Sequence, residues 1–181
     1  AIRGWLTLAT LCIFTIGMGH QHNNIYYLNY HNNLRLQVKQ GRIANHPMAV
    51  YMPRMKWSYR LEDYARYRAN QCNAPRQEKR TTGEVFAYVP ESGSPFDKFI
   101  RGVTMAKFQP FSLLIDSQHW SYFQMVWANS TYLGCGESKC RNELVVNCQY
   151  WPPGLIYNET PYEPVSGPPR FDGMFSIVRL A

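Results

Sequence analysis

Past its first twenty residues the chain has no apolar run approaching the ~20 residues a helix needs to cross a bilayer, which excludes a multi-pass membrane protein. Charge is scarce as well: only 17% of the 181 residues are Asp, Glu, Lys or Arg. With 45% hydrophobic and 15% aromatic residues the chain can fill a core, which argues against disorder over its bulk. Acids are the rarer sign, twelve against nineteen Lys and Arg, for a net charge of +7. The basic residues are interleaved with acids and form no single stripe, so neither nucleic acid nor heparin is an expected partner. No internal repeat is visible. Motifs for hydrolysis are missing too, with no GxSxG, HExxH or Cys/His pattern. No CxxC or cysteine–histidine spacing marks a metal site.

What is present at the N-terminus points to export. Arg3 precedes the apolar stretch Trp5 to Ile16, and Gly17-Met18-Gly19 supplies small residues before polar His20, Gln21, His22 and Asn23. That order is expected of a secretory signal over residues 1–19, an uncleaved anchor or a buried helix being the alternative. Five cysteines are present, and Cys12 falls in this leader. The remaining four, Cys72, Cys135, Cys140 and Cys148, read as disulfides of an oxidising compartment, with three pairings open. Cys135 and Cys140 can close a small loop, leaving Cys72 to reach Cys148. Two sequons, at Asn129 and Asn158, fit a glycosylated surface, although Pro161 directly after the second works against its use.

Residues 25–40 read as a helix with Tyr27, Tyr30, Leu34 and Val38 on one stripe, stopped by Gly41. Pro47 and Pro53 make 41–57 a loop. Ser58 is the expected N-cap of a second helix reaching Cys72, with Leu61, Tyr64, Ala65 and Arg68 on one face. Residues 73–83, with Arg76, Lys79 and Arg80, read as an exposed loop. Val85–Val89 is a strand, 96–107 a third helix weakened by Gly102, and 132–136 with 144–150 a hairpin around the Cys135/Cys140 loop. Prolines dominate 151–169, and 171–180 is a final strand candidate. His31 reads as a packing residue, and His46 as surface. Helices flanking a small sheet predict an α/β chain built as a layered sandwich.

Five collinear segments resemble the CAP superfamily of cysteine-rich secretory proteins, antigen 5 and plant pathogenesis-related protein 1. They are His31-Asn32-Asn33-Leu34-Arg35, Met52 to Trp57 running on to Cys72, Gly83-Glu84, Gln124 to Ser130 with Gly134-Cys135-Gly136, and Val145 to Gly154. The nearest likeness is to secreted schistosome venom allergen-like proteins. The resemblance implies a three-layer α-β-α sandwich over a CAP domain at 20–155, with a Pro-rich extension at 156–181 packed on it. It also implies the disulfides Cys72–Cys148 and Cys135–Cys140.

Many CAP proteins carry two His and two Glu that hold a divalent metal. Here Glu84 matches one acidic position, no His lies in 73–83, and no carboxylate stands at 100–103. The second His position falls on Ser121 without a gap, or on His119 with a two-residue insertion. A cavity remnant of Glu84 with Ser121 or His119 is therefore expected, with no metal, no cofactor and no enzymatic activity.

The family also implies lipid binding. A sterol would be held by the apolar segment Phe108, Pro110, Phe111, Leu113, Leu114 and Ile115. A fatty acid would lie between Tyr27, Tyr30, Leu34 and Val38 and the facing Phe99, Val103 and Ala106. The alternative is a secreted ligand of host immune or plasma proteins acting through its surface, at 76–80 or along the Pro-rich tail. No integral membrane association is expected in either case.

Overall fold

The computed structural model describes residues 24–73, 81–90, 107–112 and 117–165. The candidate leader at 1–19, the basic loop residues Arg76, Lys79 and Arg80, nearly all of the 96–107 helix candidate and the 171–180 strand candidate lie outside the described residues.

Helix α1 covers residues 24–39. It ends where the sequence places the stop. Gly41 takes φ +66°, and the amides of Gly41 and Arg42 bond back to the carbonyls of Val38 and Gln37. This is the glycine-terminated helix end that satisfies the last carbonyls, and the left-handed φ favours glycine there. Helix α2 (Tyr59–Asn70) starts at Ser58, whose Oγ accepts from the Leu61 amide, with Glu62 in its first turn and Arg68 in its last. Each charge suits the helix end it occupies. Helix α3 runs Ser117–Met125 without interruption.

Four strands, β1 (Lys56–Trp57), β2 (Gly83–Pro90), β3 (Tyr132–Cys140) and β4 (Glu143–Trp151), form one sheet in the order β1-β3-β4-β2. Only the β1–β3 pairing is parallel. The loop reading of 41–57 therefore misses β1, two residues long, which exists because Thr131 and Leu133 carbonyls accept from Lys56 and Ser58. The expected hairpin is present and longer at both ends.

Cross-strand partners share a face of a sheet. Glu84, Gln149 and Gly134 point one way, and Val85, Cys148 and Cys135 the other. Helix α2 covers the first face so closely that a side chain on Gly134 or Gly136 would strike the backbone of Leu61–Glu62 or Ala65–Arg66. Helix α1 covers the second, where Tyr27 donates to Glu137 and His31 meets Tyr150. The expected α-β-α layering is what forms. β4, flanked on both edges and both faces, is buried from Val145 to Tyr150.

The implied disulfide pairing is corrected. The bonds are Cys72–Cys140 and Cys135–Cys148. Cys135 and Cys140 both belong to β3, five residues apart, which puts them on opposite faces and roughly 17 Å apart along the strand. A disulfide tolerates about 7 Å between Cα atoms at most. Cys135 instead stands directly opposite Cys148 across the β3–β4 ladder, with Cα atoms 4.1 Å apart. Cys140, on the α2 face, meets Cys72 just past the end of that helix.

Candidate functional site

The polar residues of the sequence motifs are spent mostly inside the fold. On α1, His31 Nδ1 donates to the Tyr27 carbonyl at 2.7 Å, so its Nε2 accepts from the Tyr150 hydroxyl at 2.8 Å. Burial holds the imidazole neutral, with a pKa lowered to about 4, against the opposing pull of the Tyr27 carbonyl. Asn32 pairs with both backbone groups of Met55. Arg35 is 1% exposed and donates to the carbonyls of Pro53, Met125, Trp127 and Ala128. Desolvation lowers its pKa to about 10. These three side chains pin α1 to the β1 approach and to the turn after α3. In that turn Gln124 donates to Ser130 Oγ and accepts from the Gly154 amide, while Ser130 donates to the Pro152 carbonyl.

Glu84 lies on the other face. Arg68 Nε and an Arg68 terminal nitrogen grip its two oxygens at 2.7 and 3.1 Å, and Asn147 and Gln149 donate to it at 3.1 and 2.8 Å. Thr82 in turn donates to Gln149 at 2.6 Å. The hydrogen bonds to Glu84, ahead of the opposing cost of desolvation, raise the Arg68 pKa. The pair is largely buried, its side chains 7% and 13% exposed. The expected companions of Glu84, Ser121 and His119, are not among these partners. Both are half-buried on α3, and that helix meets β2 at Gly83, where Gln124 fills the space a side chain would need. Gly83 and Glu84 are adjacent on a strand and face opposite sides of the sheet, so α3 and the Glu84 carboxylate are separated by it.

A family model described as the cysteine-rich secretory protein family, CAP, matches residues 28–150, more than half of the chain. The chain belongs to the CAP family. Among its relatives, Pathogenesis-related protein 1 of Arabidopsis thaliana is 28% identical over 75% of this chain and 80% of its own length. Venom allergen 5.02 of Vespa crabro is 29% identical over 79% and 81%. Among solved structures, NaASP2 with Zn2+ superimposes with TM-score 0.68 at 25% identity, covering 76% of this chain and 83% of that one. Schistosoma mansoni venom allergen-like protein 4 does so with TM-score 0.57, also at 25% identity, covering 76% and 91%.

Measured against the CAP metal tetrad, the described surroundings of Glu84 do not fit an ion. A cation needs free lone pairs on converging ligands, and the Glu84 carboxylate already faces a guanidinium and two carboxamides. Among the described residues no group of three His, Cys, Asp or Glu converges. Arg68 is the residue that sequence reasoning missed at this position. The sequence shows it only as one of the residues on the face of Leu61, Tyr64 and Ala65, because its partner lies sixteen positions away on a strand.

The lipid-site candidates are placed unevenly. Phe111 is buried against Trp120, Phe108 is half-buried against Tyr162 at 4.8 Å, and Pro110 is exposed. Backbone bonds strap this segment down: the Phe111 amide donates to Glu159, and the Asn158 amide donates to Phe111. Leu113, Leu114 and Ile115 lie outside the described residues. On α1, Tyr27, Leu34 and Val38 are buried in the core and Tyr30 is half-buried; Phe99, Val103 and Ala106 lie outside the described residues. His46, expected at the surface, is 7% exposed, its ring edge-on to Tyr122 at 5.0 Å. The sequon residues Asn129 and Asn158 are both exposed. No described helix is long and apolar enough to cross a membrane.

Proposed function

We propose that this CAP protein is secreted, is not an enzyme, and works by holding lipid on an apolar surface. The observation that carries the reading is the closed Arg68–Glu84–Asn147–Gln149 cluster. It spends the acid that matches the family's metal position on an internal ion pair, so that carboxylate is not free to act as a base on water. The four described cysteines are likewise committed to disulfides, which suits an extracellular protein. What remains for function is surface.

Sterol at the segment 108–115 is the best-supported ligand. Buried Phe111 and half-buried Phe108 anchor the segment, Pro110 is exposed, and Leu113-Leu114-Ile115 continues it as an apolar run in the sequence. A fatty-acid slot along α1 has less support, since Tyr27, Leu34 and Val38 are already covered. Purified protein incubated with labelled cholesterol and, separately, with labelled palmitate tests both. Saturable cholesterol binding weakened several-fold by Leu114→Asp is expected, and absence of saturable binding overturns the proposal.

A protein ligand acting on a host is the second reading, supported by Tyr59 and Tyr67 on the outer side of α2, 67% and 59% exposed. Interfaces are enriched in such aromatic residues. Titratable binding to a plasma protein, abolished by Tyr59→Ser/Tyr67→Ser and indifferent to Leu114→Asp, would favour it over lipid carriage.

A further inference from the structure

The two sequons are 29 positions apart in the chain, yet Asn129 and Asn158 line one cleft of about 550 Å³, together with Tyr51, Glu159, Tyr162 and Glu163. Each asparagine sits on a tight turn with its residue exposed. Asn158 takes φ 62°, a left-handed turn conformation that asparagine tolerates. The residues around each are tied inward. Ser130 is fully buried and bonded to Pro152, and Thr160 donates to the Tyr162 carbonyl at 3.0 Å. The two walls of the cleft are joined by the Ala128 amide donating to the Pro161 carbonyl at 2.8 Å. The turns are therefore fixed relative to each other, and both carboxamides are left at the rim.

We infer that Asn129 and Asn158 both carry N-linked glycans that converge over this cleft and close it to protein partners, leaving the α2 side of the molecule bare. The inference rests on export, since the sugar donor is a polyprenyl-pyrophosphate-linked oligosaccharide of the secretory pathway. In the transfer, the asparagine carboxamide nitrogen bonds to the anomeric carbon of the oligosaccharide and loses one proton. The bond from that carbon to the pyrophosphate oxygen breaks, and the polyprenyl pyrophosphate leaves with the electron pair. Tyr51, 62% exposed at the cleft, is the reporter for coverage, and Tyr67 on α2, 59% exposed, is the control.

The full chain is secreted from insect cells behind a host leader, so that the test does not depend on the chain's own export signal. Intact mass should show two glycans, with Asn129→Gln and Asn158→Gln each removing one. Hydroxyl-radical oxidation of Tyr51 should be at least three-fold slower in the glycosylated protein than after enzymatic trimming to a single sugar, with Tyr67 unchanged. Fewer than two glycans, or Tyr51 oxidised at the same rate before and after trimming, overturns the proposal.

Discussion

The two faces of the sheet are built from the same strands and solve different problems. On the α1 face, Val85, Ala87, Val146 and Cys148 join Leu34 and Val38 in a continuous apolar core. On the α2 face, the alternate residues of the same strands include Glu84, Asn147 and Gln149, and the buried apolar cluster there is small, formed around Ala69, Cys140 and Val145. The α1 face is held mostly by area removed from water, which is non-directional, with His31–Tyr150 and Tyr27–Glu137 as its polar contacts. The α2 face is held by hydrogen bonds and an ion pair that must be complete, because a buried polar group without a partner costs about 1–3 kcal/mol. That difference explains how a face lying under a helix can bury a carboxylate and still fold. An arginine from the covering helix supplies the positive charge.

The two disulfides divide between the faces and give the largest expected effects. On the chain-entropy account, removing Cys72–Cys140, which spans 68 positions, costs about 4 kcal/mol, and removing Cys135–Cys148, which spans 13, costs about 3 kcal/mol. Urea unfolding of the paired Cys→Ser variants measures both. Equal losses, or a peptide map giving a Cys135–Cys140 bond, would break the assignment of one staple to each face.

Next comes the ion pair. Arg68→Met and Glu84→Gln should each cost about 3 kcal/mol by leaving the other group without its charged partner, whereas the two together should cost much less than the sum. Simple additivity in a double-mutant cycle would show that the α2 face does not depend on a complete polar network.

The α1 face has a pH signature. His31 takes up a proton near pH 6.5 when unfolded but only near 4 when folded. Its contribution is therefore whole above about pH 6.5 and is lost as the pH falls to about 4, a span of about 3 kcal/mol. His31→Gln should flatten that part of the stability–pH curve. An unchanged slope would mean that His31 is not held neutral on this face.

The smallest effect sharpens the boundary of α2. Ser58→Ala removes the oxygen that accepts from Leu61 and should cost about 1 kcal/mol in thermal unfolding. No loss would show that packing on Gly134 and Gly136, and not the cap, sets where the helix begins.

Both helix boundaries tested by capping signals were legible in the sequence, since Gly41 and Ser58 act through bonds to residues within a few positions. The apolar stripe of α1 was legible for the same reason, its period being local. The cysteine pairing was not. It depends on which face of β3 each cysteine occupies, and that in turn requires the strand to run on to Cys140 when its β-prone residues stop at Gly136. Nor was the site around Glu84 legible as a pair with Ser121, because adjacent residues Gly83 and Glu84 serve opposite faces.

The sequence by itself determined the family, the layered α/β class and the local starts and stops, because the motifs are contiguous runs and Gly41, Ser58 and the apolar stripe of α1 act within a few positions of themselves. Only the tertiary structure decided that Arg68 closes over Glu84, that Cys72 meets Cys140, and that Asn129 and Asn158 share a rim. Each of those is a meeting of residues from separate elements, fixed by strand register and by the face on which a helix lands, and neither is written in the spacing of residues along the chain.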